Sequence, residues 1–187
     1  MKFYPLLILL LLVCCVKETR VEDPLVPNFE TPDTPVVTTQ QKAICENGMA
    51  QIYPCLGYDL LSVISISNFG SKAGNDNWGW TDPETGKEYV LSGLDDGTAF
   101  VDISDPENPV ILGKLPTATV SSWWRDIKVY KNHAFIVSEA QNHGLQVFDL
   151  TRLREVSSPQ TFTPDTRLTE FGNAHNIWIN EASGYAY

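Results

Sequence analysis

Tyr89-Val-Leu-Ser-Gly-Leu-Asp-Asp-Gly97-Thr-Ala-Phe-Val-Asp102-Ile103 returns later as Phe135-Ile-Val-Ser-Glu-Ala-Gln-Asn-His-Gly144-Leu-Gln-Val-Phe-Asp149-Leu150. Gly97 to Gly144 and Asp102 to Asp149 are each 47 positions, and Tyr89 to Phe135 is 46, with one extra residue near His143. A repeat of about 40–50 residues made only of strand-like segments marks a β-propeller blade. The expected fold is therefore all-β, with four-stranded blades on a ~47-residue repeat.

Working outward, Leu60–Ile66 is apolar and β-branched, as a buried strand would be. Gly70 to Asn77 reads as a loop. Trp78-Gly-Trp80 opens a strand, Asp82-Pro-Glu-Thr-Gly86 is a turn, and strands follow at Glu88 to Ser92, Thr98 to Ile103 and Val110 to Leu115. The second unit has strands at Ile127 to Tyr130, Ala134 to Ser138 and Leu145 to Leu150, and a third begins at Asn176-Ile-Trp-Ile179. About two to three blades are thus present. A ring needs about four to eight, and Gly184-Tyr-Ala-Tyr187 has a mid-strand pattern. Residues 43–187 are expected to be the N-terminal part of a longer, truncated propeller.

Thirteen basic against twenty-three acidic residues give a net charge of −10. That balance argues against nucleic acid and against an anionic membrane surface, both of which attract Lys/Arg-rich patches. Met1-Lys2 followed by an apolar run from Phe3 to Val16 reads as a signal peptide, residues 1–14, too short to span a bilayer. The Leu12-Val-Cys-Cys15 stretch has the form of a lipoprotein signal, with Cys15, or alternatively Cys14, carrying the lipid. A plain secretory signal is the alternative. In both cases the chain leaves the cytoplasm for the cell envelope or the medium. Residues 15–42, with four prolines and several Thr and acidic residues, form a tether. In an oxidising compartment Cys45 and Cys55 are expected to form a disulfide.

At these residues the chain resembles the LVIVD-repeat proteins, and more closely the bacterial choice-of-anchor B group. The resemblance rests on Cys45-Glu-Asn-Gly-Met-Ala50, Tyr53-Pro-Cys55, Trp78-Gly-Trp-Thr-Asp82 and Gly97-Thr-Ala-Phe-Val-Asp-Ile-Ser-Asp-Pro106, and covers Cys45 to Tyr187. It continues through Trp124-Arg-Asp-Ile-Lys-Val-Tyr130, Gly144-Leu-Gln-Val-Phe-Asp149 and Asn173-Ala-His-Asn-Ile177. It implies a secreted or surface propeller and brings no settled enzymatic activity.

In propellers the first strand of each blade lines the central channel, and the residues entering those strands are Asn75-Asp-Asn77, Arg125-Asp126 and Asn173 to Asn176. Arg125, Asp126, His175 and Asn176 are the candidates for a ligand at the axis: an anion or carboxylate through Arg125 and His175, or a divalent cation through Asp76 and Asp126. The plainer alternative has them satisfying backbone groups where strands crowd. Glu139 and His143 would face each other across a hairpin as an acid–base or metal pair. Asp95-Asp96 reads as a turn, and Asp102 and Asp149 as caps of the turns that follow them. The five tryptophans are expected to pack between blades, with a sugar-stacking surface as the alternative. There is no Gly-x-Ser-x-Gly elbow and no Gly-rich phosphate loop. The function expected is a lipid-anchored binding or scaffolding module at the cell surface with a protein or carbohydrate partner. A metal-assisted hydrolase or lyase acting through the axial residues is the alternative.

Overall fold

The computed structural model describes residues 42–187. The signal segment, Cys14, Cys15 and the tether up to residue 41 lie outside the described residues. A two-stranded hairpin, β1 (Met49–Ala50) and β2 (Tyr53–Pro54), carries the expected disulfide between Cys45 and Cys55. Among the described residues no helix is long and apolar enough to cross a membrane.

Two larger sheets follow. The first is built from β3 (Gly74–Thr81), β4 (Glu88–Leu94), β5 (Gly97–Asp102) and β6 (Val110–Pro116), an antiparallel meander. The second is built from β7 (Arg125–Tyr130), β8 (His133–Ser138) and β9 (Leu145–Asp149). The chain then makes a 3-10 turn at Leu150–Leu153 and lays β10 (Gln160–Thr161) parallel to β6, adding a fifth strand to the first sheet. It returns as β11 (Thr166–Leu168) on the outer edge of β9. A short hairpin, β12 (Ile179–Asn180) with β13 (Tyr185–Ala186), begins a third unit. The protein is all-β, built of several antiparallel sheets.

The core lies between the two large sheets. Phe100 of β5 stacks on Phe148 of β9 at 4.6 Å, and Phe162 meets both rings edge-on. Leu91, Leu115, Ile127, Ile136 and Leu150 complete the same buried cluster. β5 is covered on both faces, which explains its unbroken apolar run. The shared glycines have one steric cause. A Cβ on Gly97 would collide with the carbonyl of Leu115 on β6, and one on Gly144 with that of Leu168 on β11. Each glycine lets the next strand, β6 or β11, approach closely. Asp102 and Asp149 cap as expected, accepting from the backbone N–H of Ser104 and Thr151, both at 2.9 Å.

Three expectations are corrected. Leu60–Ile66 forms no strand of the sheets among the described residues: Leu60 and Val63 are isolated bridge positions, Leu60 with Ala43, and Ile66 opens a 3-10 turn ending at Phe69. Its apolar side chains instead lie against a sheet face, where Ile64 lines a cleft with Val90 and Val101. The Gly70–Asn77 loop is already strand from Gly74, disguised by a bulge between Gly74 and Asn77. The alignment of Tyr89 with Phe135 is two residues out. Tyr89 pairs with Asp102 and His133 with Asp149, so Tyr89 corresponds to His133, and Leu91 to Phe135.

Candidate functional site

Register aligns the first strands of the two large sheets. Trp78 pairs with Leu91 and Lys128 with Phe135, so Trp78 corresponds to Lys128, a step of 50 positions. On that step Asn75-Asp76, Arg125-Asp126 and His175-Asn176 are equivalent dipeptides. They line one cavity of about 280 Å³, together with Trp124. Sequence position had placed them at similar points of successive units; the constant interval is the sharper signal.

The carboxylates act between sheets. Asp76 accepts from the backbone N–H of Ile127 at 3.0 Å, and Asp126 from that of Ile177 at 2.7 Å. Each bond spans 51 positions, so Asp76 and Asp126, equivalent in the first strands of the two large sheets, each grip the backbone of the following unit at the same place. Asn75 adds a bond to the N–H of Arg125 at 3.0 Å. Lys128 then places its ammonium 2.6 Å from Asp126 and 3.6 Å from Asp76, and 4.5 Å from the ring centre of Trp78. An ammonium thus stands where the two carboxylates converge. Among the described residues no group of three or more His, Cys, Asp or Glu is placed to hold a metal ion.

The two carboxylates are shifted in opposite directions. Burial, together with Asp126 alongside, raises the Asp76 carboxyl above the usual range. Burial pushes Asp126 upward too, but hydrogen bonding with Asp76, Lys128 and the Ile177 amide outweighs it and holds Asp126 low.

Arg125 turns its side chain into the protein and is 1 % exposed. Its Nε donates to the Leu94 carbonyl at 3.0 Å and one terminal nitrogen lies 3.1 Å from His143 Nε2. The other terminal nitrogen is buried with no hydrogen-bond partner among the described residues. Burial lowers the guanidinium pKa to about 10 and also lowers that of His143. His143 Nδ1 is 3.0 Å from the Gly144 carbonyl, which fixes the proton there and leaves Nε2 to accept from Arg125. Arg125 is therefore a tie between β4 and the β8–β9 turn.

The Glu139–His143 pair is corrected. Glu139 instead meets His175, Nδ1 to Oε1 at 2.6 Å, and His175 lies against Trp124 with ring centres 5.6 Å apart. Both partners of that pair are substantially exposed at the cavity's edge. The tryptophans also divide. Trp80 is buried, stacks on Tyr89 and donates to Asn132 at 3.2 Å, whereas Trp78, Trp123, Trp124 and Trp178 are exposed. Missing from the sequence reading were Lys128 and the Arg154 side chain, which grips buried Asp82 through two bonds of 2.7 and 2.8 Å. No pattern marks either as an ion-pair partner; Arg154 and Asp82 are 72 positions apart and meet only in the fold.

No family model matches the chain, and neither a curated protein nor a solved structure matches it.

Proposed function

We propose that the chain is part of a β-propeller resembling the LVIVD-repeat, choice-of-anchor B proteins, and that it works outside the cytoplasm as a binding or scaffolding module. The observation that carries this reading is the repeated clasp, Asp76 to Ile127 and Asp126 to Ile177, which sets successive sheets side by side through their inner strands. Rigid sheets joined at their inner edges leave turns and cavity mouth to face a protein or carbohydrate partner. The Cys45–Cys55 disulfide is compatible with an oxidising compartment. Lipid on Cys15, or on Cys14, would hold the module at the surface.

The polar residues at the inner edge serve the frame in this reading, since Asp76, Asp126 and Arg125 are each engaged by backbone or side-chain partners. The test is expression of the full chain in a bacterial host fed labelled palmitate. Label should enter the protein and be lost when Cys14 and Cys15 are both replaced by Ser, with release of protein from the membrane fraction. An unlabelled, cytoplasmic product contradicts the reading. His175→Ala separates module from enzyme: a module keeps its partner, while a hydrolase or lyase working through this edge loses turnover.

A further inference from the structure

A second cleft, of about 420 Å³, opens beside the inner strands and is lined by Trp78, Lys128, Trp178, Asn180 and Glu181 among others. Trp78 and Trp178 are 100 positions apart, two steps of 50, with Lys128 midway. The repeat thus delivers an indole, an ammonium and an indole to one place from three successive units. Trp178 is 65 % exposed and Trp78 38 %. The backbone at Trp178 is nevertheless fixed, since it exchanges hydrogen bonds with Tyr187 in both directions at 2.9 and 2.8 Å.

We propose that this cleft binds a carbohydrate, an oligosaccharide whose ring stacks its C–H face on the indoles while its hydroxyls reach Asn180 and Glu181. The chemistry of the lining selects this occupant. Flat aromatic faces supply apolar area with little loss of conformational freedom, and beside them stand a carboxylate acceptor at Glu181 and the amide N–H donors of Asn180, whose Oδ1 accepts from the Ala182 and Ser183 backbone. A pyranose offers the matching pair of surfaces, an apolar face and a rim of hydroxyls. The cleft's volume is that of a small-molecule site. This inference rests on the binding-module reading and names the partner class and its place.

The test uses the full chain on an array of defined neutral and amino-sugar oligosaccharides, followed by calorimetric titration of the best-bound sugar. Trp178→Ala should weaken binding by about tenfold, while Trp178→Phe, which keeps a stacking face, should stay within about threefold. Trp123→Ala, at an exposed indole outside the cleft, should leave the affinity unchanged. No binding to the array, or binding indifferent to both Trp178→Ala and Trp78→Ala, overturns the proposal. Binding of a protein partner by the wild-type chain, with no sugar bound on the array, overturns the sugar cleft and leaves the module reading standing. Turnover of a substrate without retained binding overturns both.

Discussion

The two large sheets share one plan, and they differ in their turns. β3 and β4 are joined by the Asp82–Lys87 turn, which Arg154 ties down through Asp82 and Glu84. β7 and β8 are joined by Lys131-Asn132 alone, both residues with positive φ of 46° and 62°, the two-residue hairpin form. The inner strands therefore repeat at 50 positions, the second strands at 44 (Leu91 to Phe135) and the third at 47 (Asp102 to Asp149). Turns absorb every change in length, while register and the clasp between units stay fixed. The geometry that repeats unchanged is thus at the first strands, where one sheet meets the next.

The largest effect should come from the packing both sheets share. Phe148→Ala should cost about 3–5 kcal/mol by removing the ring stacked on Phe100, read by urea unfolding. An effect below 1 kcal/mol would mean that the sheets do not depend on that contact.

The two clasps should then separate. The Asp126 side chain is 7 % exposed and that of Asp76 33 %. Asp126→Ala strands the Ile177 amide and leaves Lys128 only the longer ion pair to Asp76, and should cost about 3 kcal/mol. Asp76→Ala should cost about 1–2 kcal/mol, because water can replace part of what it supplied. Equal losses would break the comparison.

Turn chemistry should come next. Asn132→Ala removes the acceptor for Trp80 Nε1 and places a Cβ residue without a local acceptor at positive φ. A loss of about 1–2 kcal/mol is expected by the same unfolding assay.

The smallest effect is on titration. An unperturbed Asp has a pKa of about 3.9. Asp126 is depressed in the folded protein, so its contribution is present above the unfolded value and fades as pH falls through the folded one. Asp76 is raised, so the folded state takes its proton more readily, and stability is gained as pH falls through the raised value toward the unfolded one. Carboxyl-carbon NMR should show Asp76 protonating before Asp126 on acidification. The reverse order would contradict the assigned contacts.

Much of this plan is legible in the residues. The strands of both units, the Asp95-Asp96 and Lys131-Asn132 turns, the caps at Asp102 and Asp149 and the Cys45–Cys55 pair all follow from local chemistry. The two-residue misalignment at Tyr89 escaped notice for a physical reason. Side chains alternate with period two, so a two-residue slip returns every residue to the same face and the apolar pattern reads equally well. β11 was overlooked because a single strand turn, Thr166–Leu168, is exposed throughout and carries no alternation. Leu60–Ile66 misled because an apolar extended segment can cover a sheet without joining it. At the inner edge, the dipeptides beginning at Asn75, Arg125 and His175 were visible as a set. Their use was not, since a carboxylate serving a backbone amide and one awaiting a ligand look alike in sequence.

The central claim is that each inner-strand Asp grips the amide of the following unit, and native-state amide exchange tests it most directly. In the wild type, the amides of Ile127 and Ile177 should both be protected. Asp76→Ala should release Ile127, and Asp126→Ala should release Ile177, each by more than any general change at Ile136 in the middle of β8. If Ile177 exchanges equally in wild type and Asp126→Ala once that general change is subtracted, the clasp does not exist in solution and the account falls with it.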